Sequence, residues 1–234
     1  MLINKIGKIV LDILYPPTCV SCGHDGAWLC ETCLQKTFLF RHDHCARCGE
    51  KKKKDHACAG SWPFQSITIG GSYAEPILRQ LITTFKYKSA GCLEEAWIAY
   101  LKRLRQERLE PWPWSNLSEL IVTSIPGDAR RMRERGMDHA AKLADVVQKV
   151  LVPWATRDDL FIRTRSVSPN ATLPADIRRQ ANVRGAFVVK KQINAPVLLV
   201  DDVLTTGATA VEAAKTLLAA GAPAVYLFTI ASGK

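Results

Sequence analysis

The chain has 234 residues, with 32 Lys and Arg against 22 Asp and Glu, a formal net charge of +10. That length and 47% hydrophobic content suit one full-size α/β domain plus a small appendage and exclude a disordered chain. The charge favours polyanions without choosing among nucleotides, pyrophosphate and nucleic acid, and no run of 18 apolar residues is present to span a membrane.

At the N-terminus, Leu2, Ile3, Ile6, Ile9, Val10, Ile13 and Leu14 recur at helical spacing. This predicts a short amphipathic helix packed on its own protein, with a membrane-surface helix as the alternative. Lys5, Lys8 and Asp12 interrupt the apolar stretch and no small-residue cleavage site follows, so it does not read as a secretory signal. The expected location is a reducing cytoplasm, where eight cysteines point to metal rather than disulfides.

Seven of those cysteines fall between residues 19 and 58: the pairs Cys19/Cys22, Cys30/Cys33 and Cys45/Cys48, then Cys58. Each CxxC turn aims two thiolates at one tetrahedral zinc, and Gly23 and Gly49 follow the first and third pairs as tight knuckle turns require. The simplest reading joins 19/22 with 30/33; a cross-braced 19/22 with 45/48 is the alternative. A second site on Cys45, Cys48 and Cys58 takes His56 as its fourth ligand or lacks one, because Ser61 stands where a second cysteine of the last pair would be. One or two structural zinc sites are thus expected, with no open position for chemistry. Lys51 to Lys54 read as a solvated basic loop. Cys92, outside the cluster, reads as a small buried hydrophobe.

After Ser61-Trp62-Pro63 the pattern changes to alternating elements: strands near 66–73, 119–125, 186–190, 196–201 and 223–230, and helices near 75–87, 92–108, 136–151 and 208–220. That alternation predicts a mainly parallel sheet flanked by helices. The boundary divides residues 1–62, the helix and cysteine module, from 63–234. The Pro/Trp cluster at 111–114 reads as a connection, and 164–176 as a surface loop.

The segment VLLVDDVLTTGAT, residues 197–209, carries the densest chemistry. Val197 to Val200 form an apolar run suited to a strand buried on both faces. Asp201 and Asp202 stand at its carboxyl end, where ligands of open α/β sheets bind. Thr205, Thr206, Gly207, Ala208 and Thr209 then make a small-residue turn into a helix, presenting amides, hydroxyls and a positive helix end to an anion. A phosphate cradle beside an acceptor for a sugar diol suits a ribose 5-phosphate. Upstream, Arg130, Arg131, Arg133 and Arg135 crowd onto one segment after a strand at 120–122, able to converge on pyrophosphate, or else to form a solvated basic face or a nucleic-acid contact. Lys86 is a further pyrophosphate candidate.

These segments resemble the ComF/GntX family across nearly the whole chain. The resemblance rests on LDILYPPTCVSCG, CARCG, YAEPILRQLITTFKYKSA, SIPGDARRMRERGMDHAAKLA, RRQANVRGAF and VLLVDDVLTTGAT. It implies a double zinc ribbon ahead of a type I phosphoribosyltransferase domain, binding 5-phosphoribosyl-1-pyrophosphate (PRPP) with Mg²⁺. By resemblance, Asp201 and Asp202 hold the ribose hydroxyls as the catalytic pair, and residues 205–209 hold the 5-phosphate. Ser124 to Gly136 form the pyrophosphate loop. The family is associated with DNA uptake in natural transformation beside a helicase partner, so single-stranded DNA binding or PRPP sensing on the same fold are the alternatives to phosphoribosyl transfer. For DNA, Trp62, Phe64, Phe85, Tyr87 and Trp97 are the candidate stacking residues. The family commonly reads Arg-Gly-Phe-Asn-Gln where this chain has Arg135-Gly136-Met137-Asp138-His139, and has a glutamine near Asn170.

Overall fold

A computed structural model describes residues 16–51, 58, 62–87, 93–127, 137–164 and 183–233. The expectations for the N-terminal helix, Lys52 to Lys54, His56, Ser61, Cys92, the four loop arginines, Gly136, Asn170 and most of the 164–176 loop lie outside them.

In chain order, the cysteine module contributes one short helix, α1 (Glu31–Lys36). The larger part begins with β1 (Ser66–Ser72), α2 (Pro76–Tyr87) and α3 (Glu94–Glu107). It continues through β2 (Ile121–Ser124), α4 (His139–Leu151), β3 (Thr156–Arg157), β4 (Phe161–Arg163) and β5 (Phe187–Val189). It closes with β6 (Val197–Leu204), α5 (Ala208–Ala219) and β7 (Val225–Ser232). Five strands form a sheet in the order β1-β7-β6-β2-β3, each described pairing parallel. β4 and β5 pair separately and antiparallel. The result is the expected α/β architecture: a parallel sheet with helices on both faces behind a cysteine-rich module.

Strand alternation builds two cores. Leu198 and Val200 of β6 face the side covered by α2, α3 and α4, while Val197 and Leu199 face α5. All four are fully buried, each side chain contributing about 1.5–3 kcal/mol relative to exposure. The α5 face is lined by Ala210, Ala213 and Ala214, small side chains that let the helix lie close to β6. The cysteine module shares these cores: Cys33, Leu34 and Leu39 join the first, Phe40 and Ala46 the second.

Some elements depart from the sequence reading. β6 runs to Leu204 rather than ending near residue 201, because β7 supplies ladder partners as far as Ser232. β3 and β4 were not foreseen; they are two and three residues long, too short to show alternation. The Pro/Trp connection is also part of the core, with Trp114 edge-on to Tyr226 and Phe228 and stacked on Trp112.

β1 passes so close to its neighbours that two glycines are needed. A Cβ on Gly70 would lie 2.9 Å from the Ile230 carbonyl oxygen and 3.0 Å from the Tyr100 hydroxyl. Gly70→Ala is therefore expected to destabilise the fold by about 1–3 kcal/mol, read as a lower midpoint in urea unfolding with an unchanged slope.

Candidate functional site

Two metal-ligand clusters form in the cysteine module. Cys19, Cys22, Cys30 and Cys33 place their sulfurs within 4.8 Å of one another, with Cys22 and Cys30 at 3.6 Å. A tetrahedral zinc with Zn–S bonds of about 2.3 Å needs sulfurs roughly 3.8 Å apart, so the donor set fits. This decides for the sequential pairing and against the cross-braced one. Cys45, Cys48 and Cys58 form the second cluster. Among the described residues no fourth ligand joins it.

The knuckles repeat one geometry. The Gly23 amide donates to the Cys19 carbonyl and the Gly49 amide to that of Cys45, both at 2.9 Å. Both glycines are left-handed, at φ 75 and 78. The middle pair differs, since Cys30 is the N-cap of α1 and Cys33 lies inside that helix. Burial pushes the Cys33 thiol up to about 12 in the metal-free chain. For Cys19 burial acts the same way but is outweighed by amide donation from Cys30, Cys22 and Ser21, which brings it down to about 6. Such amide donors favour the thiolate that a metal needs.

The second site sits at the carboxyl end of β6. Asp202 turns toward α2, where Lys86 Nζ lies 2.8 Å from its Oδ2, both side chains about three-quarters buried at 25% and 22% exposure. Lys86 is held there by the apolar face of α2, with Leu78, Leu81, Ile82 and Phe85 buried. Asp201 accepts the Asp202 amide at 2.8 Å. Its ladder neighbour is Thr229, whose buried hydroxyl has no hydrogen-bond partner among the described residues. Burial, then the charge of Asp202, push the Asp201 carboxyl up to about 7, against the opposing pull of the Asp202 amide and Lys86.

Beyond Leu204 the chain turns through Thr205 and Thr206, both exposed, to Gly207 at φ 76, the N-cap of α5. Among the described residues no carbonyl accepts from the amides of Thr205, Thr206, Gly207 or Thr209, and that of Ala208 meets only the Thr206 hydroxyl, at 3.5 Å. These are the open donors at a helix start that can hold an anion. One wall of the turn is aromatic: a Cβ on Gly207 would lie 2.6 Å from Trp62 Cη2. Trp62 in turn carries the Arg47 guanidinium over its ring, 5.6 Å from the centroid, and the Arg47 amide donates to Cys45 Sγ at 3.4 Å. The second cysteine cluster thus reaches the turn through two side chains. Sequence reading missed this role of Trp62, for which no local pattern gives a signal.

The structure brings together Asp201, Asp202, Lys86 and residues 205–209; Arg130, Arg131, Arg133, Arg135 and Gly136 lie outside the described residues. Where the chain departs from the family pattern, each side chain has a packing task. Met137 packs on the first core. Asp138 caps α4, accepting from the Ala140 and Ala141 amides at 3.0 and 3.1 Å. His139 is buried edge-on to Phe85. Of the candidate stacking aromatics, Phe85 and Trp97 are core, Trp62 and Phe64 are half-buried, and Tyr87 is 77% exposed.

Comparison with known proteins adds two findings. Residues 10–60 match the Double zinc ribbon domain. The chain is similar to the DNA utilization protein YhgH of Escherichia coli K12, 29% identical over 217 residues, covering 89% of this chain and 91% of that protein. The YhgH of Shigella flexneri is 28% identical over the same span. That of Salmonella typhi is 26% identical over 193 residues, 80% of this chain and 76% of its own.

Two outcomes follow for this site. Elemental analysis of the purified protein is expected to show zinc, with Cys22→Ser removing one equivalent. For Asp201, the folded-state pKa lies above the unfolded value, so the folded chain holds a proton that the unfolded chain releases. Its contribution to stability therefore falls as pH rises from about 4 to about 7. Asp201→Asn is expected to remove that part of the decline. It should melt at least about 3 °C above the wild type at pH 8 and nearly with it at pH 4, as followed by differential scanning fluorimetry.

Proposed function

We propose that the chain is a ComF-like protein, on its double zinc ribbon and its similarity to the YhgH proteins along most of its length, and that its α/β domain binds PRPP or a related ribose 5-phosphate in the service of DNA utilization. One observation carries this reading: Asp201, Asp202 and an open, amide-lined turn meet at the carboxyl end of a single buried strand. Carboxylates accept hydrogen bonds from vicinal hydroxyls, and the α5 amides and the Thr205, Thr206 and Thr209 hydroxyls donate to a 5-phosphate. Arg130, Arg131, Arg133 and Arg135 neutralise the pyrophosphate, with Lys86 at the margin.

Asp201 and Asp202 supply hard oxygen donors of the kind Mg²⁺ takes, and Lys86 already balances Asp202. The residues therefore suit an ion held mostly by the ligand's own phosphate and hydroxyl oxygens. Such an ion would offset charge on the departing pyrophosphate. The reaction class is displacement at the anomeric carbon: the bond to pyrophosphate breaks, a nitrogen lone pair forms the new bond, and the nitrogen loses a proton.

A second reading, binding without turnover, is favoured by residues 137–139, whose side chains are used in packing and capping rather than offered to a ligand. Pyrophosphate release from PRPP with a panel of amine and base acceptors separates the two. Isothermal titration with Mg²⁺ and PRPP tests the shared premise. Saturable binding is expected, weakened about 10- to 100-fold by Asp202→Asn. Absence of binding by the wild-type chain overturns the proposal.

A further inference from the structure

The Gly207 turn is held by a side chain far from it in the sequence. Trp62 precedes β1 and packs, half-buried, on the core shared by β6 and α5. The Cη2 and Cζ3 edge of its ring would meet a Cβ on Gly207 at 2.6 and 2.7 Å, so the ring lies against the bare α-carbon and closes one side of the turn. A left-handed glycine has more backbone freedom than any other residue. Rotation at Gly207 reorients the neighbouring amides that must converge on one phosphate, and the ring opposes that rotation.

The ring is held in turn by the cysteine module. The Arg47 guanidinium lies over it, 5.6 Å from the centroid. Arg47 is exposed and forms no ion pair among the described residues, so no carboxylate competes with the ring for it. It stands between two metal ligands, in Cys45-Ala46-Arg47-Cys48. Its amide donates to Cys45 Sγ at 3.4 Å and the Gly49 amide to the Cys45 carbonyl at 2.9 Å. Ala46 is buried in the same core as Leu204 and Ala210, which flank the turn. The sulfurs of Cys45, Cys48 and Cys58 lie within 4.8 Å of one another, and a tetrahedral zinc takes sulfurs at about 3.8 Å, so the donor set fits. Metal closes the knuckle around Arg47; an open knuckle no longer fixes where that side chain points.

We propose that Trp62 is a positioning residue for the phosphate cradle and that Arg47 couples it to metal at Cys45, Cys48 and Cys58, so that a metal-loaded knuckle raises the affinity for a ribose 5-phosphate. The proposal rests on the ribose-phosphate reading above and adds a metal-dependent control to it. By linkage, the bound phosphate ligand tightens the metal by the same factor.

The test begins with isothermal titration of the zinc-loaded full chain with ribose 5-phosphate. Trp62→Ala is expected to weaken binding about 10-fold, as for a turn competent in about a tenth of the molecules, while Trp62→Phe retains most of it. Arg47→Ala should weaken binding about 2- to 5-fold with an unchanged melting temperature, because that side chain is exposed. Cys48→Ser, shown by elemental analysis to keep the zinc of the first cluster, should weaken binding about 5-fold or more. The reverse coupling is read on the unaltered chain by competition with a zinc chelator. Saturating ribose 5-phosphate should raise the chelator concentration needed to remove one zinc equivalent by about 5-fold or more, and Trp62→Ala should abolish that protection, which a merely structural role would leave in place. If the wild type binds, and Trp62→Ala, Arg47→Ala and Cys48→Ser all leave both affinity and zinc retention unchanged, the coupling is overturned while the ribose-phosphate reading stands. If the wild type binds no ribose 5-phosphate, that reading fails and the coupling with it.

Discussion

Gly207 holds a left-handed backbone between a strand buried on both faces and a helix whose first amides remain open, and the functional account depends on that turn. Four apolar residues of β6 satisfy both cores, which fixes the strand's register against β2 and β7. Fixed register decides where the acidic pair emerges. Asp202 is then delivered to Lys86 on one face of the sheet, while Asp201 lies beside its ladder partner Thr229 of β7 on the other. Moving the register by one residue would put one carboxylate in the other's place and a valine, Val200 or Val203, in the position it left.

The cysteine module is more than an appended ribbon. Its apolar residues enter the same cores as the sheet, and polar contacts tie it to α3 and the segment beyond. Arg103 reaches the carbonyls of Leu34 in α1 and of its C-cap Thr37, Arg108 pairs with Asp43 at 2.8 Å, and the Asp43 amide donates to Glu110. Arg47 and Trp62 extend the module to the Gly207 turn. Metal binding at Cys45, Cys48 and Cys58 would therefore be felt at the Gly207 turn. Structural zinc of this kind contributes directly to folding energy.

Much of this was legible in the sequence, for physical reasons that differ by element. The buried strand Val197–Val200 announced itself as an unbroken apolar run, and Asp201, Asp202 and the Thr-Thr-Gly-Ala-Thr turn follow it directly in the chain. The clustering of Cys19, Cys22, Cys30 and Cys33 was readable because CxxC spacing dictates convergence on a metal. Long-range packing was not readable. Trp62 against Gly207, Trp114 in the core and Phe38 facing solvent are set by tertiary neighbours, which their local sequence does not encode. Lys86 was foreseen as part of the site, but its partner, Asp202, lies more than a hundred residues away and had no local signal. Asp138 illustrates a further gap: the sequence showed it only as a departure from the family pattern, whereas a carboxylate before a helix also makes an N-cap, and the cap is what the structure contains.

The most direct test of the turn as a phosphate cradle is an amide–nitrogen correlation spectrum of the isotope-labelled protein titrated with ribose 5-phosphate. The account predicts saturable downfield shifts of the Thr205, Thr206, Gly207 and Thr209 amide protons, as expected when each gains a charged acceptor. Those four signals staying in place at saturating ligand would contradict it.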